Sequence, residues 1–170
     1  MLEIVRETVV KADSPRVTVD NFNFLPPVTY LDGHLVFVQF TGEGPFIGVY
    51  YVVNEKIVKY ETTSPAISMG FLINKIIDGE NMILFSNLNE DTWSPLNGDN
   101  RFETDHAKLE VHLSNGKTYS EDIKDDKGYL IVLPTAEIVD FIQYNSKGEK
   151  VNTIEDLEKY GHVGEVIFWN

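Results

Sequence analysis

The chain contains no cysteine. That excludes a disulfide framework, a thiolate zinc site, a cysteine nucleophile and a thiolate-held iron–sulfur cluster. It leaves the compartment open, because cysteine-free chains occur inside and outside cells. Long hydrophobic runs are also missing, and no apolar stretch approaches the roughly 20 residues that cross a bilayer. Residues Met1 to Asp20 do not read as a leader, since their apolar runs are short and broken by Glu3, Arg6, Glu7 and Lys11. Met1 as a native start points to the cytoplasm, whereas a start placed after a removed leader or anchor points outside it. Both readings stand.

Positive charge is scarce: 14 Lys and Arg face 27 Asp and Glu, for a net charge of −13. Free DNA and RNA are therefore not expected partners, because their affinity comes largely from basic side chains neutralising phosphates. Anionic membrane surfaces are disfavoured on the same ground, and no membrane insertion is expected. A basic protein would be attracted, in a salt-sensitive manner. The plainer role of such charge is solubility.

Catalytic motifs are absent too. There is no Gly-x-Ser-x-Gly elbow and no His-Glu-x-x-His, and Ser68, Ser86 and Ser94 stand in no nucleophile context. Gly42-Glu43-Gly44-Pro45 lacks the helix and lysine of a nucleotide loop, and Glu43 would repel phosphate. The imidazoles are His34, His106, His112 and His162. His106 and His112 share one predicted strand and lie about 20 Å apart by strand rise, too far to share a metal. The loop Asn97 to His106 offers alternating oxygen-bearing side chains that hint at Ca²⁺. Arg101 and Phe102 interrupt it, and no bidentate Glu falls at the twelfth position. Glu90-Asp91 beside Trp93 pairs carboxylates with a sugar-stacking ring, but so acidic a chain produces such pairs by chance. Trp93 next to Pro95 reads better as a core anchor. No catalytic residue, metal or cofactor is assigned.

What is present is a foldable chain. Its 170 residues suit one medium domain or two very small ones. Aromatics make up 12%, a share that disordered chains lack. Residues 21–53 hold no Lys or Arg, yet carry Phe22, Phe24, Tyr30, Phe37, Phe40, Phe46, Tyr50 and Tyr51. Such a cluster is core-forming, or less often the lining of an apolar ligand pocket. Residues 78–126 carry twelve acids against Arg101, Lys108, Lys117 and Lys124, a local net of −8 (4 − 12). No repeat or linker divides the chain, so a single β-rich domain spanning 1–170 is expected.

Period-2 alternation dominates. In His106 to Leu113, Ala107, Leu109, Val111 and Leu113 point one way, while His106, Lys108, Glu110 and His112 point the other. Asn115-Gly116 then supplies a tight hairpin turn and Lys117 to Ile123 returns. Similar two-strand units flank Asn54-Glu55 and Asn145-Ser146-Lys147-Gly148. Further strands are predicted at Leu2 to Val10, Arg16 to Asp20, Leu35 to Thr41, Met82 to Ser86, Gly128 to Leu133 and Val163 to Trp169. In Ile67 to Ile77 the spacing of Phe71, Leu72, Ile76 and Ile77 suits a helix and the β-branched content a strand, the strand being preferred. Thr153 to Tyr160, with Thr153 as N-cap and Gly161 after it, predicts a short helix. The fold class is mainly β: an antiparallel sandwich or partly closed barrel with one short C-terminal helix. The run Gly128 to Val151, strand then strand-turn-strand, resembles small surface-protein domains of Gram-positive bacteria over about 24 residues, without a diagnostic motif.

Three functional classes follow. The first is a non-catalytic protein-recognition domain, of inhibitor, immunity or surface-associated type, whose acidic face or strand edge meets a basic protein. Its candidate residues are Trp93, Asp99, Glu103, Asp105, Asp125 and Asp126. The alternatives are a small-molecule carrier with an apolar cavity and a carbohydrate-active hydrolase with a raised-pKa carboxylate. The sequence sets no oligomeric state.

Overall fold

The computed structural model describes residues 1–12, 18–63, 72–86, 107–123, 128–153, 155 and 162–169. The chain forms two compact units, Met1–Ile67 and Ser68–Asn170. The first unit runs α1 (Leu2–Ala12), β1 (Asp20–Phe24), β2 (Val28–Tyr30), β3 (Gly33–Thr41), β4 (Pro45–Val53) and β5 (Lys56–Thr63). Its antiparallel sheet has the order β1-β3-β4-β5, with β2 pairing β3 beside β1.

Residues 2–12 are a helix, not the strand predicted from their Val and Ile content. The spacing of Val5 and Val9, four apart, puts both on one helical face, and both are buried. Glu3 pairs with Arg6 at 3.6 Å and Glu7 with Lys11 at 3.5 Å, each at helical spacing. Glu3 in the first turn and Lys11 in the last also match the helix dipole. The apolar face meets Val36, Val38 and Phe40 of β3 and Tyr50 and Val52 of β4. Arg6 lies over the rings of Phe22, at 5.3 Å, and Phe24, at 5.9 Å, which clamps β1 to the helix. The aromatic run of 21–53 is thus core, covered on this face by a helix, not a second sheet.

Leu35, Phe37, Ile47 and Val49, on the opposite face of β3 and β4, are buried as well. Gly48 lets the Tyr50 ring lie flat on the sheet, because a Cβ there would meet that ring at 2.7 Å. The Asn54-Glu55 turn has φ of 47° and 58°, the paired positive angles that a tight hairpin needs. The strand predicted for Arg16 to Asp20 begins only at Asp20, and residues 13–17 lie outside the described ones.

The second unit holds β6 (Leu72–Asp78), β7 (Asn81–Ser86), β8 (Lys108–Leu113), β9 (Thr118–Asp122), β10 (Tyr129–Pro134), β11 (Ile138–Tyr144), β12 (Lys150–Asn152) and β13 (His162–Phe168). They form two four-stranded sheets, β10-β7-β6-β13 and β12-β11-β8-β9. One core joins them: Met82 and Leu84 of β7 and Tyr129, Ile131 and Leu133 of β10 meet Leu109, Val111 and Leu113 of β8 and Phe141 of β11. This is a sandwich, each strand turning alternate residues inward, and neither sheet closes into a barrel. One pairing departs from the antiparallel expectation: β13 runs parallel to β6. The hairpin partner of β6 is β7, so its other edge is left to a strand arriving from far along the chain, and its direction is not set by a turn. Of the predicted C-terminal helix only Thr153, which is not helical, and Glu155, which is helical, are among the described residues.

Candidate binding surface

The β8–β9 hairpin lies within the acidic stretch 78–126 and itself carries Glu110, Glu121 and Asp122 against Lys108 and Lys117. Its turn closes through Leu113 N–H to Lys117 O at 2.9 Å and Gly116 N–H to Leu113 O at 2.9 Å, with Gly116 at φ 81°. Leu109, Val111 and Leu113 enter the core, and Lys108, Glu110 and His112 form the row on the other face. Within that row Glu110 is already satisfied: it accepts from His112 Nε2 at 2.6 Å and from Lys108 Nζ at 3.3 Å. The hydrogen bond from His112 holds the Glu110 carboxyl below its ordinary range, with Lys108 assisting and partial burial opposing. Lys108 in turn lies 5.2 Å from the centre of the Tyr144 ring. The row is internally compensated and has little charge to offer a partner.

The uncompensated charge sits one strand further out. Among the described residues β9 ends its sheet, paired on one side with β8. Thr118, Ser120, Glu121 and Asp122 are exposed, while Tyr119 is half-buried against the core. The ladder is anchored at both ends, by Leu113 N–H to Lys117 O and by Ile123 N–H to Ala107 O at 2.8 Å. Antiparallel pairs alternate in hydrogen bonding, so residues 117, 119, 121 and 123 address β8. Thr118, Ser120 and Asp122 therefore turn their backbone N–H and C=O groups outward.

Trp93, Asp99, Glu103, Asp105, Asp125 and Asp126 all lie outside the described residues, as do Glu90, Asp91 and His106. The described residues that flank them are informative. Residues 87–106 leave β7 after Ser86 and rejoin at Ala107; residues 124–127 leave after Ile123 and reach β10 through Gly128. Ser86 pairs with Tyr129, and Ala107 accepts from Ile123. Both acidic stretches are thus attached at the same two places, one on each sheet of the sandwich.

Glu121 and Asp122 were missing from the residues picked out in the sequence. The signal was available: both lie in the strand that returns from the Asn115-Gly116 turn. Of the histidines, His34 is exposed on β3, as a surface reading requires. Among the described residues no group of three or more His, Asp and Glu is placed to hold a metal ion. No described helix is long and apolar enough to cross a membrane. No protein-family model matches the chain, and no curated protein or solved structure matches it significantly.

Proposed function

We propose that the chain is a non-catalytic protein-recognition module, of inhibitor, immunity or surface-associated type, that engages a basic partner through the acidic side of its second unit. The observation that supports this reading is the shared attachment of residues 87–106 and 124–127 at Ser86/Tyr129 and Ala107/Ile123. Around those points the sequence from 78 to 126 carries a net −8 (4 basic residues less 12 acids). Of those twelve acids, Glu121 and Asp122 are exposed on β9. Concentrated charge of one sign steers an oppositely charged partner and sets orientation more than it sets affinity.

The test separates a located surface from bulk charge. In one variant Asp99, Glu103, Asp105, Asp125 and Asp126 are all replaced by Lys. In a matched variant the exposed Asp20, Glu43, Glu55, Glu137 and Glu155, all outside 78–126, are replaced by Lys. Both variants change net charge equally, and both are titrated with a lysine 20-mer at low and at physiological salt. The first set should weaken binding about tenfold more than the second. Equal losses would refute a located acidic side. Turnover in a screen of glycosides and esters would instead favour a hydrolase.

A further inference from the structure

We infer that the outer edge of β9 is a strand-addition site, taking an extended segment with basic side chains as a fifth strand of the sheet β12-β11-β8-β9. This rests on the acidic-side reading for the sign of the partner's charge and on separate geometry for its conformation. The geometry comes from comparing β9 with the other strands that end a sheet. β1 has a register break between Asp20 and Asn23, and β13 one between Val163 and Val166. β12 is three residues long and its pairing is also shifted. On β5 the pairs Tyr51–Lys59 and Val52–Ile57 leave Val58 as an extra, bulged residue between two lysines, Lys56 and Lys59. Bulges, short lengths and lysines are the devices by which sheets protect an edge from further pairing. β10 is regular but buried along most of its length, and it ends in Pro134, which has no N–H to donate.

Among the described residues β9 shows none of these three devices. Its five pairs with β8, from Lys108–Asp122 to His112–Thr118, run without a break. It contains no proline, lysine or glycine between Thr118 and Asp122, and four of its five residues are exposed. Thr118, Ser120 and Asp122 present three successive outward donor and acceptor pairs at a spacing of two residues, the pattern an added strand reads. What β9 does carry is acid, at Glu121 and Asp122. Carboxylates on an edge repel a second copy of the same strand, all the more between chains of net charge −13. They attract a strand bearing Lys or Arg. Among the described residues the edge is thus unpaired, disfavouring a second copy and favouring a basic segment.

Two heptapeptides of equal charge serve as probes: Lys-Val-Lys-Val-Lys-Val-Lys, which can extend and donate, and Lys-Pro-Lys-Pro-Lys-Pro-Lys, which cannot form a ladder. Amide hydrogen exchange is followed residue by residue by NMR. In the free protein Thr118, Ser120 and Asp122 should exchange fast and Tyr119 and Glu121 slowly. The valine peptide should slow the first three about tenfold or more, and the proline peptide should not. Ser120→Pro, which removes only an outward N–H, should weaken the valine peptide and leave the slow exchange of Tyr119 intact. If both peptides bind equally, or bind without protecting the three amides, strand addition is refuted while the acidic-side reading survives. If neither lysine peptide binds, both readings fall. The exchange pattern of the unsubstituted protein decides the matter even if Ser120→Pro does not fold.

Discussion

Tyr129 shows how a single atom can sit at odds with its surroundings. Its ring belongs in the sandwich core, 6.0 Å from that of Phe141. Its hydroxyl is buried and finds no hydrogen-bond partner among the described residues. Burial pushes its pKa far upward, so it stays neutral throughout the accessible range. An unpaired buried hydroxyl costs about 1–3 kcal/mol of desolvation. Tyr129→Phe should therefore leave stability unchanged or raise it by about 1–2 kcal/mol in urea unfolding. A loss of similar size would show that the hydroxyl is satisfied in solution. At the same scale, the sequence made the inward row of β8 plain, because alternation alone fixes which side chains enter the core. It did not show that Glu110 would be held by His112 and Lys108, since i, i+2 contacts on a strand depend on which rotamers the neighbouring strands leave open.

Among the elements, hairpins were legible and the first helix was not. Asn54-Glu55, Asn115-Gly116 and Asn145 to Gly148 are turns in the structure with positive φ at Asn54, Glu55, Gly116 and Gly148. Turn chemistry is local, so sequence carries it. The β-branched residues of 2–10 pulled that segment towards a strand, although the four-residue spacing of Val5 and Val9 and two helical ion pairs pointed the other way. Tertiary burial decided the conflict. Val9→Ala removes two methyl groups from the contact with β3 and β4, and should cost about 1–3 kcal/mol. Val10→Ala, at an exposed position on the same helix, should cost a few tenths at most. Equal effects of the two would mean that α1 does not dock on the sheet in solution. The parallel placement of β13 was illegible for another reason: nothing local fixes the direction of a strand whose partner lies about ninety residues earlier.

For the whole molecule, period-2 alternation foretold a mainly β protein, and the sandwich of the second unit follows the expected class. The six residues chosen for recognition lie outside the described residues, so the structure speaks for them only through the residues at which their segments begin and end. Each segment has one end at the Ala107/Ile123 pair, next to β9, and the other at the Ser86/Tyr129 pair. The most direct measurement is a ¹⁵N chemical-shift map of the intact chain titrated with the lysine 20-mer at physiological salt. Shifts confined to residues 86–129, with β9 among them, are expected. Shifts of equal size at Asp20, Glu43 and Glu55 in the first unit would contradict a located acidic binding side.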